Sequence, residues 1–378
     1  MKAFITFVLF IFLCRFSHAQ TAVLDKEQLL NYYQTQRYAE AAQYLKTIYP
    51  ADTRDLKALT QIAYCLMMAG KIADAEQTYL KINEIQPNTV PVLFSLANIN
   101  SKRGNELMAR HYLENVVQID SNNFSAFKQL ANYTDSTELK LLYLQKASRL
   151  NPTEADVAID LSFLYKTLKR YPLAYRTLKV AIKADTSNFV LLQSLLPIAN
   201  ELKQYREVIE IGEKLLKTAG DANVIKDVGK AYFFLKNYQQ TINLYQNLEK
   251  IGMQNESTLY YMSLSYRELK NYPMAASYAK KTIEEGISPN ISAYYLMLGG
   301  IYETNQQFKN AITAFKKGLS FKTNSTIYYR LGLLYDLKLN QKQRALIYYN
   351  LYLKSKPDVE EDKAQIDYTK GRLLELKK

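Results

Sequence analysis

Few residues in this chain have the types and spacing for covalent or metal chemistry. The sequence holds two histidines and two cysteines in 378 residues. One of each, His18 and Cys14, falls in an N-terminal stretch that reads as a leader. A Ser–His–Asp triad would have to use His111, whose polar neighbours mark a solvated surface position. Zinc needs three or four His, Cys or carboxylate ligands together, and the supply is too small, so no metal is expected. Gly299-Gly300 sits inside a helical pattern, where small size serves packing, and no phosphate-cradling loop is present. No cofactor is expected. Asp156 and Asp160 stand four apart on one helical face, a spacing suited to paired-carboxylate acid–base work; the same pair also fits a solvated face or partners for nearby lysines. Cys65 lies in an apolar run and reads as a small buried residue. The inventory points away from an enzyme.

Stacked short helices must position whatever these residues do. In the stretch 56–89, Leu59, Ile62, Ala63 and Leu66 form one apolar stripe at i, i+3, i+4 and i+7. Gly70 supplies the permissive backbone of a tight turn. A second stripe follows with Ile72, Ala75, Tyr79 and Ile82, and Pro87 closes the unit. Neither helix can bury its face alone. The chain repeats the arrangement every ~34 residues, the period of a helix–turn–helix repeat array.

Alignment of the units shows what recurs. A small or medium residue midway along each first helix gives Leu29, Ala63, Ala97, Ala131, Ser162, Leu196, Gly229, Ser263, Gly299 and Gly332. In the second helix the small residue is Ala41, Ala75, Ala109, Ala174, Ala275 or Ala311, with Val208 and Thr241 as larger variants. An aromatic often opens that helix (Tyr38, Tyr171, Tyr205, Tyr238, Tyr272, Phe308), and a large residue follows the small one by four (Leu45, Tyr79, Leu113, Leu178, Tyr245, Phe315). Small residues at crossings beside large ones let helices interlock.

This pattern resembles the tetratricopeptide repeat family over nearly the whole chain after residue 20. Ten units start near Ala22, Leu56, Val90, Phe124, Ala155, Phe189, Ala222, Glu256, Ser292 and Ser325. The family's tryptophan position is Leu59, Leu93, Phe127, Leu192 or Tyr328 here, and its closing proline survives as Pro87, Pro152 and Pro357. The expected organisation is a leader at 1–19, an array at 20–358 and a capping helix at 359–378 with Ile366, Leu373 and Leu374 inward. The resemblance implies an all-α solenoid, a right-handed superhelix. Three departures predict local changes. The fourth unit is about three residues short between Tyr133 and Leu139, which predicts a tightened turn or shorter helices. The segment Gly286–Asn290 adds about two residues. Pro197 lies mid-helix and predicts a kink or break, whereas Pro172 and Pro273 sit harmlessly in first turns.

Arrays of this family bind ligands against the face lined by first helices. Side chains off the packing stripe then face that groove: Tyr64, Met67, Phe94, Asn98, Lys102, Lys128, Asn132, Phe163, Lys166, Lys226, Lys230, Phe233, Tyr260, Arg267, Tyr329 and Arg330. Rings interleaved with Lys and Arg suit an extended protein or peptide segment with apolar side chains and acidic groups, though several rings also fit inter-repeat packing. The two-carboxylate clamp known in the family is not reproduced: Lys128 and Asn132 match its first helix, but Asp160, Val190 and Ser194 stand where its other polar and basic residues belong.

Residues 1–19 read as an export signal, with Lys2, an apolar run from Ala3 to Cys14 and Ser17-His18-Ala19 before the cut. A lipoprotein leader would use Cys14, but Leu13 stands where a small residue is wanted. Loss of Lys2 and Arg15 lowers the net charge from +13 to +11. No later run reaches the ~18 apolar residues of a membrane span. Nucleic acid is not expected as a partner, because the lysines are spread over most repeats and export separates the chain from it. The expectation is a non-enzymatic, exported scaffold or adaptor in the periplasm or outer envelope, or secreted. The alternative is a glycan- or cell-wall-binding protein on the same scaffold, since the 32 tyrosines can stack on sugar faces.

Overall fold

A computed structural model describes residues 23–218, 220–286 and 289–377. The expected leader and its cleavage site lie outside the described residues, as do residues 287–288 of the inserted segment. Among the described residues there are 21 α-helices and no strand, the all-α solenoid of helix pairs that the repeat implied. None of these helices is long and apolar enough to cross a membrane.

The chain divides into two compact units, 1–164 and 165–378, with the division inside the helix Ala155–Thr167. In the first unit the pairs are Lys26–Gln34 with Tyr38–Ile48, Leu56–Met68 with Ile72–Ile85, Val90–Lys102 with Glu106–Ile119, and Phe124–Leu130 with Thr137–Leu150. The second unit opens on Tyr171–Ala184. It continues with Phe189–Glu201 and Tyr205–Thr218, Ala222–Phe234 and Tyr238–Lys250, Glu256–Glu268 and Tyr272–Glu285, Ile291–Thr304 and Phe308–Leu319, and Ser325–Leu333 and Lys342–Lys354. A last helix, Lys363–Leu376, closes the array.

Local chemistry sets these boundaries. Side chains of Asp25, Asp55, Asn123, Asn188, Asp221, Asn255 and Asn324 accept hydrogen bonds from free N–H groups at the starts of first helices. Within most pairs the turn ends in a left-handed residue. That residue is Gly70 or Gly104 in two pairs, and elsewhere Gln36, Lys169, Lys203, Lys236, Lys270, Gln306 or Asn340. The next N–H then bonds back across the turn, as Lys71 does to the Leu66 carbonyl at 2.9 Å.

The core forms where a first-helix small residue receives a second-helix ring. A Cβ at Gly229, Gly299 or Gly332 would stand closer than 3.0 Å to Tyr245, Phe315 or Tyr349 respectively. At Gly300 a Cβ meets nothing within 4 Å, so only the first glycine of that doublet serves packing. Where a polar residue takes a small position it is satisfied: Ser263 Oγ donates to the Ala275 carbonyl at 2.9 Å, and Thr241 Oγ1 to that of Gly229 at 3.1 Å.

Several local readings are corrected or sharpened. Phe189–Glu201 is one unbroken helix with Pro197 inside it, so the proline does not split it. Buried Leu195, Leu196, Ile198 and Ala199 on either side hold the turn that lacks the proline's N–H. The fourth unit loses its residues from the first helix, which stops at Leu130 and continues as a 3₁₀ turn, Ala131–Tyr133. In the last helix Leu374 is 69% exposed, while Thr369, Leu373 and Leu376 are buried and Ile366 is half-buried. The periodicity places the stripe at 369, 373 and 376, and Leu374 falls a residue past it. Before the final helix pair closes, Leu334–Lys338 widens into a π turn. This places Asp336 where Arg372 of the last helix binds it through Nε at 2.7 Å and Nη2 at 2.9 Å, with Tyr349 Oη donating at 3.1 Å. The Arg372 guanidinium holds the Asp336 carboxyl below the usual range.

Candidate functional site

In the first unit the first-helix face is a tyrosine pocket. Tyr64 meets Tyr33 and Tyr38 edge to face at 6.4 and 6.0 Å. A cavity of 420 Å³ opens beside them, lined by Tyr33, Thr60, Gln61, Tyr64, Tyr79, Pro91, Val92 and Ser95. Tyr64 remains 41% exposed. Behind it Cys65 is fully buried, its Sγ donating to the Tyr33 hydroxyl at 3.6 Å, and burial raises the thiol pKa. Cys65 is thus a structural residue. Further along, Met67 and Phe94 are half-buried, and Asn98, Lys102 and Asn132 are exposed. Phe163 is 62% exposed.

Lys128 does not reach out for a partner. Its ammonium bridges Glu154 at 2.6 Å and Asp156 at 2.9 Å, and those hydrogen bonds raise its pKa. Asp156 is therefore the lysine partner that its spacing also allowed. The Asp160 carboxyl is raised by partial burial, opposed by Lys140 and Lys128 and helped by Asp156. His111 is exposed and stands 3.4 Å from Asn115 Nδ2. Among the described residues no cluster of three or more His, Cys, Asp or Glu can hold a metal ion.

The second unit builds its face differently. A continuous run of rings passes from Tyr205, stacked on Phe234 at 5.0 Å, through Phe233 to Tyr261 at 4.9 Å, then to Tyr260 at 5.5 Å and Tyr294 at 5.6 Å. Beside this run Lys230 binds Glu201 at 2.9 Å. Burial works against the Lys230 charge, but the bond and attraction to Glu201 prevail and raise its pKa. Arg267 pairs with Glu268 at 2.8 Å and Arg330 with Glu303 at 3.0 Å. Tyr329 packs on Tyr352 and Tyr368. Lys166 and Lys226 are half-buried. Lys102 and Lys226 take part in no ion pair among the described residues.

Helical spacing alone does not mark the buried polar pair Asn200 and Asp227. Asn200, 3% exposed, donates from Nδ2 to both the backbone carbonyl and Oδ1 of Asp227, each at 3.1 Å, while its own Oδ1 is buried without a partner. Burial pushes the Asp227 carboxyl up to about 6, against the Asn200 hydrogen bond and the attraction of Lys230 and Lys166. A signal for it was present. Asp227 and Tyr261 occupy the same place, five residues into consecutive first helices, and an acid there interrupts an otherwise basic and aromatic face.

Fold and faces together define a helical-repeat protein with extended, ring-lined first-helix surfaces. Models of the tetratricopeptide repeat match residues 32–98, 292–324 and 325–359, and these stretches carry that repeat. The chain is similar to the TPR repeat-containing protein MJ1428 of Methanocaldococcus jannaschii, 23% identical over 300 residues. That match covers 78% of this chain and 49% of the relative, so the chain spans about half the relative's length. Similar solved structures include the MamA protein (21% identity, 43% of this chain and 90% of that one, TM-score 0.39). Another is the human IFIT1 dimer with PPP-AAAA (14% identity, 93% and 87%, TM-score 0.45). A tetratricopeptide repeat protein from Parabacteroides merdae also aligns (14% identity, 78% and 99%, TM-score 0.35).

Proposed function

We propose that this chain is a protein-interaction scaffold that holds an extended partner segment against its first helices. One observation carries the reading: in both units the first helices keep large rings partly exposed, Tyr64 beside a cavity in one and Phe233, Phe234 and Tyr261 in the other. Such rings, rigid and amphipathic, are the anchors that dominate protein interfaces. A partner segment brings apolar side chains to the rings of a unit and an acidic group to Lys102 in the first unit or Lys226 in the second, groove lysines that form no ion pair among the described residues. The work is structural rather than enzymatic. Export to the cell envelope rests on the leader sequence and is tested by the N-terminal mass of protein recovered from the envelope.

Selection from a displayed library of random peptides tests the function. Enriched peptides carry apolar residues, and Tyr64→Ala or Phe233→Ala weakens their binding at least ~10-fold, the scale of an interface hot spot. Peptide binding unchanged by either variant would overturn the reading. A glycan array run with the same variants tests the alternative, and sugar binding that needs these rings while no peptide is enriched replaces the protein partner with a glycan.

A further inference from the structure

The first unit holds a second cavity, of 350 Å³, that shares no residue with the tyrosine-lined one. It is bounded by the second helices Tyr38–Ile48 and Ile72–Ile85 and by Leu59 and Ile62 of the first helix between them. Those two residues belong to the core, 4% and 5% exposed, and give the cavity an apolar floor. Lys46 and Lys81 line it as well, and none of its described lining residues is acidic. Neither lysine forms an ion pair among the described residues. Lys81 donates one hydrogen bond, to the neutral Ala51 carbonyl at 2.9 Å. The other two donors of its ammonium find no acceptor among the described residues.

The second unit contains the same junction with its space filled. There Tyr238–Lys250, Glu256–Glu268 and Tyr272–Glu285 run in step with Tyr38–Ile48, Leu56–Met68 and Ile72–Ile85, so that residue 38 answers to 238, 56 to 256 and 72 to 272. Lys281 stands in the place of Lys81 and binds the Glu249 carboxylate. Tyr278, 5% exposed, packs with Leu259 and Met262 and donates its hydroxyl to Glu249 at 2.7 Å. In the first unit the places of Glu249 and Tyr278 are held by Tyr49 and Thr78. Threonine is shorter than tyrosine by a whole ring, and the Thr78 hydroxyl turns back to donate to the Asp74 carbonyl at 2.8 Å. One exchange removes the acid and the other removes the buried ring, while the lysine stays. We infer that this cavity takes a ligand that supplies both missing parts: a carboxylate for Lys81 and an aromatic or aliphatic body for the floor of Leu59 and Ile62. Lys46 adds a second positive charge at the edge, which favours an anion over a neutral or basic ligand. The cavity lies at the small end of ligand sites, which run from roughly 300 to 1,000 Å³, and suits a body of about one ring. The end of a peptide chain with an apolar last residue and a free arylalkanoic acid share this chemistry.

The site is separate from the ring-lined surfaces, so its failure leaves the scaffold reading untouched. The full chain, with ¹³C-labelled isoleucine methyls, is titrated with 3-phenylpropanoate and with N-acetyl-phenylalanine, which stands for a peptide end. The neutral 3-phenylpropanamide and inorganic phosphate are the comparisons. The expected result is a saturable shift of the Ile62 methyl by the acids and none by the amide or by phosphate at the same concentration. Tighter binding of N-acetyl-phenylalanine assigns the site to a peptide end, and tighter binding of 3-phenylpropanoate assigns it to a free acid. Lys81→Gln weakens binding at least ~5-fold, the scale of one hydrogen bond to a charged group, and Lys46→Gln weakens it less. The double variant Tyr49→Glu with Thr78→Tyr rebuilds the arrangement of the second unit, closes the cavity and abolishes binding. Its melting curve shows whether it folds, and the single lysine variants carry the test if it does not. An equal response to the amide or to phosphate, no saturable shift, binding unchanged in Lys81→Gln, or full binding in a folded double variant overturns the inference.

Discussion

The same repeat carries two different surfaces in the two units. Around Tyr64 the face is a tyrosine-lined cavity with neutral polar neighbours, Thr60, Gln61 and Ser95. Around Phe233 it is an open run of rings beside a buried carboxyl and a lysine–glutamate pair. The backbone is the same in both: capped first helix, left-handed turn, second helix. The difference comes from one place in the pattern, five residues into each first helix. It holds Gln61 and Ser95 in the first unit and Asp227 and Tyr261 in the second. A repeat scaffold thus separates the residues that stack pairs together from those that face a ligand, and the second set changes without disturbing the first.

That separation can be broken at the packing positions. Gly229→Val drives a branched side chain into the Tyr245 ring and costs about 1–3 kcal/mol or more in urea unfolding. Ala97→Phe does the same in the first unit at a similar cost of about 1–3 kcal/mol. The double variant Gly229→Val with Tyr245→Leu recovers part of the loss, with a coupling of about 0.5–3 kcal/mol in a double-mutant cycle. Additive losses would show that the glycine and the ring do not share one space.

The charged centre predicts a pH contrast between the faces. The folded pKa of Asp227 lies above its value of 3.8 in the absence of the fold, at about 6. The folded protein thus binds this proton more tightly than the unfolded chain does. The stability linked to it is present below pH 4 and is lost as pH rises through 6. Each unit of the shift corresponds to about 1.4 kcal/mol at most, less where solvent reaches the group. Asp227→Asn should therefore raise the melting temperature at pH 7.5 and leave it unchanged at acidic pH. An equal effect at both extremes would remove the charge from the account. Smallest of all, Lys203→Gly relieves a left-handed turn residue (φ 60°). It gains less than about 1 kcal/mol, because glycine's extra freedom in the unfolded chain offsets much of the relief.

The stacking of helix pairs was legible in the sequence because it depends on residue size at fixed spacing, as in Ala63 with Tyr79 or Gly299 with Phe315. Details governed by neighbours were not. Pro197 carries a strong local signal for a break, but buried apolar residues on both sides outweigh it. Leu374 is as apolar as Leu373, and only the docking of the last helix shows which one turns inward. The candidate groove residues were legible as a row of bases and rings. Their pairings were not, because Arg103–Glu76, Lys128–Glu154, Lys230–Glu201 and Arg330–Glu303 join residues 26 to 29 positions apart on neighbouring pairs. Each pairing withdraws a cation from the face.

The fit between Gly332 and Tyr349, or Gly299 and Phe315, also sets how such a chain can change over generations. Neither member tolerates replacement while the other stays, so drift at one site is held back until its counterpart moves as well. Whole hairpins can be duplicated or exchanged with their internal match intact, and this makes the hairpin, more than the amino acid, the natural currency of variation in the array.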